Sequence, residues 1–178
     1  MLSFAPGPGN LRTGPVWRQL WKLSIPSKIK IFAWKALHGC LPCFVTLANK
    51  HIPIHGVNCP RCLSDAEDIK HALFSCSRAR EVWFSLGMWD QIEKLLLVDR
   101  SSGSVMIREI IRQGSLATEF NVGLPEILIT DCWYICWQRR QVVCGDEIQI
   151  APRAAMSIAA ITTNYALAPK ASTVINNK

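Results

Sequence analysis

Apolar residues recur at helical spacing through most of the chain, and no long stretch alternates apolar and polar residues as a large sheet would require. The first such stretch predicts a helix that starts near Pro26, with Ser24 as a candidate cap, and ends at Gly39. Its apolar positions follow i, i+3, i+4, i+7 and i+8, which indicates one buried stripe: Ile29, Phe32, Ala33, Ala36 and Leu37. Polar and basic residues occupy the opposite face.

Further segments show the same helical spacing or carry residues typical of helix ends. Helices are predicted at Phe44 to Lys50, at about Arg78 to Leu86, and at about 104–113, 125–143 and 153–168. Pro125 suits the first turn of the helix at 125–143, and Pro169 closes the last helix. The pattern therefore predicts a mainly α fold.

The residues with the clearest metal-binding chemistry lie between the second and third predicted helices. Cys59, Cys62, His71 and Cys76 form the string C-x2-C-x8-H-x4-C, with three thiols and one imidazole. Zn²⁺ accepts a tetrahedral shell of cysteine sulfur and histidine nitrogen. Four protein ligands leave no open coordination position, so the string predicts a structural Zn²⁺ site rather than a catalytic one. The alternative is a group of ordinary buried cysteines beside an unrelated histidine.

Two acidic residues, Glu67 and Asp68, stand just before a short apolar run within this string. Carboxylates suit the N-terminus of a helix because they complement its dipole. We therefore expect a short helix here, from which His71 and Cys76 reach back to the ion.

Two other cysteine groups allow further interpretations. Cys40 and Cys43, with His51 and His55, form a second string, C-x2-C-x7-H-x3-H, whose loop is shorter than that of a usual two-Cys, two-His finger. The pair at positions 132 and 136 lies at i and i+4 on the helix predicted at 125–143, beside aromatic residues. We interpret that pair as core thiols, with a ligand or redox pair as the alternative.

Positive charge is concentrated in the first third of the chain. The net charge is +7, and residues 1–58 contain seven basic residues and no Asp or Glu. Such an asymmetry indicates a polyanionic partner, and nucleic acid is the commonest one. The predicted nucleic-acid contacts are Lys28, Lys30, Lys35, Arg61 and Lys70 on phosphates, and Trp34 on an unpaired base. The alternatives are that these cations are only solvated and that Trp34 belongs to the core.

Several blocks around the metal-binding string carry a family resemblance. They are the run Trp21 to Lys35, the pairs Leu37-His38 and Leu41-Pro42, the string itself with Glu67 and Phe74, and Val82-Trp83. Together they closely resemble the zinc-binding domain that follows reverse transcriptase in plant non-LTR (LINE-type) retrotransposon polyproteins. The block Trp133 to Arg140 resembles sequence that follows this domain. One departure is Cys43, which stands where the family usually has Thr as a helix N-cap.

The resemblance implies a module without catalytic residues, which in the parent element would hold template RNA or target DNA near the polymerase. The sequence agrees, since it lacks the Tyr-x-Asp-Asp element of reverse transcriptases and an evident set of four carboxylates for ribonuclease H chemistry. We expect no membrane segment and no secretory signal, and hence an intracellular protein, with the nucleus as a reasonable location.

The prediction is thus a mainly α protein, with a small zinc-knuckle module, flanking helices and a C-terminal helical extension. Its segments are a flexible leader (1–15), the zinc-binding domain (16–90), a linker (91–104), the helical extension (105–170) and a frayed tail (171–178). The predicted function is weak, low-specificity binding of RNA or single-stranded DNA, with Zn²⁺ as cofactor and no enzymatic activity. The alternatives are a protein-interaction module with an unknown partner and an inert retrotransposon remnant.

Overall fold

Helices account for nearly all the regular structure in residues 14–99, 103–113 and 123–167, which are the residues that this computed structural model describes. They are α1 Pro15–Lys22, α2 Ser27–Leu37, α3 Phe44–Asn49, a π-helical turn His71–Ser75, α4 Ser77–Ser85, α5 Trp89–Val98, α6 Ser104–Arg112, α7 Leu124–Val143 and α8 Ala151–Leu167. Those ranges contain no β-strand, and an antiparallel bridge joins Asn58 to Ala66. The predicted mainly α fold is confirmed.

The helices that the hydrophobic pattern predicted are present, with ends that differ by only a few residues. The start of α2 shows why the ends shift. Pro26 is its N-cap, and the backbone N–H of Ser24, the predicted cap, instead donates to Glu126 Oε1 at 3.2 Å. The predicted leader, except for residues 14–15, and the predicted tail at 171–178 lie outside the described residues.

Two helices, α1 and α5, were not predicted. Helix α1 begins with Pro15 in its first turn, directly after Gly14. Helix α5, Trp89–Val98, occupies most of the segment 91–104 that was predicted to be a linker, which is a correction to that prediction. The helix forms because it has a core-facing side, on which Ile92 is fully buried.

The chain after α5 packs against the predicted zinc segment. Asp99 Oδ2 accepts a hydrogen bond from the backbone N–H of Met106 at 3.2 Å in the first turn of α6, while Lys70 Nζ donates to the Asp99 carbonyl oxygen. Gly103 has a φ of +102°, and a Cβ on it would lie 2.6 Å from the backbone nitrogen of Lys70. Only glycine fits this close approach.

One hydrophobic core runs through both the predicted zinc domain and the predicted helical extension. Helix α7 packs against α2, α6, α8 and the π-helical turn, and α8 packs against α4. Ile29 of α2, Trp83 of α4, Ile107 of α6 and Ile135 of α7 are fully buried in the same cluster. The C-terminal helices therefore form part of the support of the zinc segment.

A buried ion pair also connects the two parts. Arg139 of α7 donates to Glu67, in the loop before the π-helical turn, from Nε to Oε1 at 2.9 Å and from Nη2 to Oε2 at 2.5 Å. The Glu67 side chain is 0 % exposed and that of Arg139 is 9 % exposed. A buried carboxylate needs such partners, because its desolvation costs several kcal/mol.

None of the helices in the described ranges has both the length and the apolar composition needed to cross a membrane. The longest, α7, contains buried polar side chains, among them Asp131 and Gln138. One of these buried side chains, Gln138, donates from Nε2 to the Gln149 carbonyl oxygen at 3.2 Å.

We predict that Arg139→Met destabilises the zinc-loaded protein by about 3–5 kcal/mol, because the Glu67 carboxylate stays buried without its partner. Chemical denaturation in the presence of zinc measures the change. Arg140→Met is the matched control, since Arg140 is the next residue and is exposed; we expect it to change stability by less than about 0.5 kcal/mol. Equal stability of the two variants would contradict a structural role for the ion pair.

Candidate metal centre

The loop that carries Cys59 and Cys62 is a tight turn with both ends fixed. The Cys59 backbone N–H donates to the Asp65 carbonyl oxygen at 2.8 Å, and the Leu63 N–H donates to the Cys59 carbonyl oxygen at 2.9 Å. Leu63 has a φ of +62°, a left-handed conformation that reverses the chain directly after the second cysteine. The turn thereby directs both thiols to the same side.

The other two ligands lie at the ends of the π-helical turn. The Cys76 backbone N–H donates to the His71 carbonyl oxygen at 2.9 Å, five residues back. In an α-helix, residues five positions apart point about 140° away from each other, because each residue rotates the chain by 100°. The wider turn brings His71 and Cys76 to one side, in agreement with the frequent use of such turns at functional sites.

The start of this turn agrees with the sequence prediction for only one of the two acidic residues. Asp68 Oδ1 accepts a hydrogen bond from the His71 backbone N–H at 2.6 Å, three residues on, as an N-cap side chain does. Glu67 caps a different helix, since its Oε2 accepts from the Phe44 N–H at 3.1 Å and its carbonyl oxygen accepts from the Val45 N–H at 3.1 Å. Glu67 thus supplies the cap of α3 that Cys43 does not provide.

A π-helical turn leaves backbone carbonyl groups without the usual helical donors, and two side chains satisfy them here. Arg61, between the two cysteines of the tight turn, donates from Nη2 to the Ala72 carbonyl oxygen. Trp83 of α4 donates from Nε1 to the Leu73 carbonyl oxygen at 2.8 Å. Because both carbonyls are buried, leaving either unpaired would cost about 1–3 kcal/mol. These two side chains therefore help to hold the turn in its wide form.

The four predicted ligands converge on one point. The ligand atoms of Cys59, Cys62, His71 and Cys76 all lie within 4.8 Å of one another. The Sγ atoms of Cys59 and Cys76 are 3.7 Å apart, close to the edge of about 3.8 Å that Zn–S bonds of about 2.3 Å give in a tetrahedron. Cys62 Sγ lies 3.2 Å from His71 Nε2, slightly less than the sulfur–nitrogen edge of about 3.6 Å. The geometry and the donor set both fit tetrahedral Zn²⁺.

The surroundings of the cluster are those of a closed structural site. Cys59 and Cys76 are fully buried and His71 is 7 % exposed. The second ring nitrogen, His71 Nδ1, faces Asp65 Oδ2 at 3.7 Å. A carboxylate on that side favours the orientation in which Nε2 faces the metal position.

The pKa values of Cys59, His71 and Cys76 without metal show which of these three side chains must lose a proton. A hydrogen bond from Cys76 lowers the pKa of Cys59 to about 2, although burial acts in the opposite direction. The same contact, together with burial, raises the pKa of the Cys76 thiol. The hydrogen bond with the Cys59 thiolate raises the pKa of His71 to about 9. At neutral pH, His71 and Cys76 therefore hold protons that a metal ion has to displace.

The second predicted ligand string does not assemble. Among the residues that the structure describes, the four-residue cluster above is the one group of Cys, His, Asp or Glu side chains whose ligand atoms converge. Cys40 is exposed, with its Sγ 3.4 Å from the His38 carbonyl oxygen, whereas Cys43 is buried. Cys132 is fully buried, as expected for a core thiol, and Cys136 is partly buried.

The predicted nucleic-acid contacts do not form one surface. Lys28 and Lys35 are exposed on α2, seven residues apart. Lys30 instead donates from Nζ to the Trp21 carbonyl oxygen at 2.8 Å, and burial lowers its pKa. Arg61 is only 9 % exposed, and Lys70 is half-buried. Since both bind backbone carbonyls, the structure places them inside the fold rather than on the basic face.

Trp34 is half-buried and packs against the core, and the centroid of its ring lies 4.5 Å from the centroid of the His38 ring. It lies on the same side of α2 as Lys30, away from the two exposed lysines, because positions 30 and 34 are one helical turn apart. The sequence argument left Trp34 divided between core and base stacking, and its partial burial agrees with the first.

Comparison with known proteins agrees with the geometry of the site. Residues 9–83 match the model of a family described as zinc-binding in reverse transcriptase. This segment includes all four residues of the converging cluster and ends at Trp83, which donates to the Leu73 carbonyl oxygen inside the π-helical turn. Neither the curated proteins nor the solved structures compared with the chain provide a match. The family match and the four-residue cluster together identify a zinc-binding module whose cofactor is Zn²⁺.

We predict one Zn²⁺ per chain, lost in the double variant Cys59→Ser with Cys62→Ser. The reason is that serine hydroxyls do not replace two of the four tetrahedral ligands. Metal analysis of the purified protein measures the stoichiometry. Cys40→Ser with Cys43→Ser is the matched control, because it removes the other C-x2-C pair and should leave one zinc bound. Retention of zinc by the first variant, or its loss from the second, would contradict the ligand set.

Zinc affinity should rise with pH. Because the pKa values of His71 and Cys76 are raised, both groups are protonated at neutral pH and zinc must displace at least these two protons. The association constant should therefore increase by roughly two or more orders of magnitude per pH unit near pH 7, at least one for each of these two protons, and acid should release the metal. Competition with a chelator of known pH dependence, from about pH 6 to 8, measures the slope. An affinity that does not change with pH would mean that the ligands are already deprotonated.

Proposed function

We propose that this protein is a non-catalytic, zinc-structured module that binds nucleic acid, derived from the reverse transcriptase polyprotein of a plant non-LTR retrotransposon. The zinc-binding family match and the residues that resemble this domain support the origin. The partner in this proposal is RNA or single-stranded DNA, bound weakly and with little sequence preference. Such a partner agrees with a location in the nucleus.

The observation that carries the proposal is the positive charge of the surface formed by α1, α2 and α3. Residues 1–58 contain no Asp or Glu. The described cations of this segment other than Lys30 are all exposed: Arg18, Lys22, Lys28, Lys35 and Lys50. A surface of one sign attracts a polyanion over a distance of several ångströms and releases its counterions on contact.

In the part of the chain that the structure describes, no carboxylate forms an ion pair with a cation of α1, α2 or α3. Glu67 and Glu126 both approach α1–α3, and both are buried. Arg139 neutralises the first, while the second accepts a hydrogen bond from the Ser24 backbone N–H. Neither side chain projects into the solvent in front of the exposed lysines.

The absence of catalysis is part of the proposal. The matched family is described by zinc binding, and the four ligands fill the tetrahedral positions of the ion, so that no position is left for a reacting water. The role of zinc in this proposal is to fix the fold of the segment that presents α2 and α3.

A second candidate function is a zinc-structured module for protein interaction. One feature favours it: Leu63, at the tip of the tight turn, is 74 % exposed. A large apolar side chain held rigidly beside a metal site is a suitable anchor for a partner. Salt dependence separates the two candidates, because phosphate binding weakens steeply with salt and an apolar contact does not.

We predict that Lys28→Ala with Lys35→Ala weakens binding to oligo-U RNA and oligo-dT DNA to a similar extent. For a single strand, each lost phosphate contact should flatten the slope of log K against log salt by about 0.7, so two contacts give about 1.4. Fluorescence anisotropy titrations between about 50 and 200 mM salt measure this slope. Lys94→Ala with Arg153→Ala is the control, because it removes the same charge from exposed positions on α5 and α8. Equal slopes for the two double variants would contradict binding through α2.

A further inference from the structure

A groove of about 340 Å³ runs between α2 and α7. Each helix contributes residues at positions i, i+4 and i+7 to its lining, so each contributes one face. From α2 these are Lys28, Phe32 and Lys35, and from α7 they are Trp133, Trp137 and Arg140. Both lining faces therefore combine basic and aromatic side chains.

Four cations line the groove, and one of them, Arg139, is already paired with Glu67. In the described part of the chain, Lys28, Lys35 and Arg140 form no ion pair with a carboxylate. Positions 28 and 35 are about 10.5 Å apart along the helix axis at 1.5 Å per residue. At about 3.4 Å per nucleotide of a stacked strand, this distance corresponds to roughly three nucleotides. The two lysines are thus spaced for different phosphates of one strand.

The aromatic side chains of the groove differ in what covers them. Lys28 Nζ lies 4.6 Å from the centroid of the Trp133 ring, so a cation already occupies that face. Trp137 is 37 % exposed, and its ring centroid is 5.3 Å from that of Tyr134 at an angle of 44°. The contact with Tyr134 holds the Trp137 ring in place while part of it stays accessible. An accessible, fixed ring beside cations suits stacking with a nucleic-acid base.

We propose that the groove between α2 and α7 binds one single strand of nucleic acid, with Lys28, Lys35 and Arg140 on its phosphates and Trp137 stacked on a base. This inference rests on the proposed function and names its binding site and its ligand. Bases in a duplex stack on each other and are not available to Trp137, so the groove selects unpaired strands. The proposed contacts are to phosphates and one base face and do not involve the 2′-hydroxyl, so RNA and DNA bind alike.

The test compares Trp137→Leu with wild type in titrations of the full zinc-loaded chain with oligo-U, oligo-dT and a mixed-sequence duplex. Leucine keeps the apolar contact but has no ring, so the affinity for both single strands should fall by about 5- to 150-fold, the usual effect of losing one base stack. The salt slope should stay unchanged, because no phosphate contact is lost. Wild type should prefer either single strand to the duplex.

The matched control is Trp21→Leu, which removes a tryptophan of similar exposure, 40 %, from α1 outside the groove. It should bind like wild type, and Trp137→Phe should recover most of the loss because it restores a ring. Zinc content and helical circular dichroism verify that each variant is folded.

The outcomes separate this inference from the proposed function. Single-strand binding that weakens in the Lys28 and Lys35 double variant but not in Trp137→Leu would overturn the stacking site and leave the proposed function intact. A preference for the duplex would also overturn it. Absence of binding to all three probes by wild type would remove the proposed function, and the groove assignment with it.

Discussion

The buried carboxylate of Glu67 is the constraint on which most of the structure depends. The carboxylate accepts one hydrogen bond from the Phe44 backbone N–H at the start of α3 and two from Arg139 of α7. The backbone N–H of Glu67 donates to the Val57 carbonyl oxygen at 2.7 Å. A carboxylate that is 0 % exposed is tolerated only when its charge and its lone pairs are satisfied. The metal-binding loop, α3 and α7 therefore have to be in place together, because displacing any one of them leaves a buried charge without a partner.

This arrangement connects the metal to helices that contribute no ligand. Glu67 lies in the chain between Cys62 and His71, so closing the ligand shell fixes the ends of the segment that holds it. The loop itself has few apolar side chains, and structural zinc supplies on the order of 10–16 kcal/mol in finger peptides near neutral pH. The free energy of zinc binding that orders the loop thus also positions Glu67. Through the pairing of Glu67 with Arg139, it also helps to position α7, which forms one wall of the groove between α2 and α7. The wide turn at His71–Ser75 is stabilised in a similar way, by Arg61 from the loop and Trp83 from α4.

The sequence alone was sufficient to predict those features that depend on the spacing of nearby residues. The positions of α2, α6 and α7 follow from periodic apolar residues, and the ligand set follows from four donors with spacings that zinc sites use. Helix α5 was missed because its segment was judged by the Ser-Gly run that follows it, although Ile92 and its neighbours carry an apolar face. The pairing of Glu67 with Arg139 spans 72 residues, and no local pattern encodes such a contact. The sequence offered only an indirect indication of this contact. Glu67 lies within the metal-binding string, Arg139 lies within the block Trp133 to Arg140, and the two carry opposite charges.

The same limit explains why the sequence did not separate the accessible basic residues from those used inside the fold. Net charge counts every Lys and Arg equally, whereas folding uses some of them internally: Arg61 and Lys70 donate to backbone carbonyls, and Arg139 neutralises a buried acid. Burial decides which cations a polyanion can reach, and a sequence of charges does not reveal burial. The cations that remain accessible on α2 stand opposite Trp137 and Arg140, in a segment predicted as an extension rather than as part of the binding surface. Because α7 both receives Glu67 and supplies this wall, the proposed binding site includes the C-terminal helices as well as the segment that the zinc ligands order.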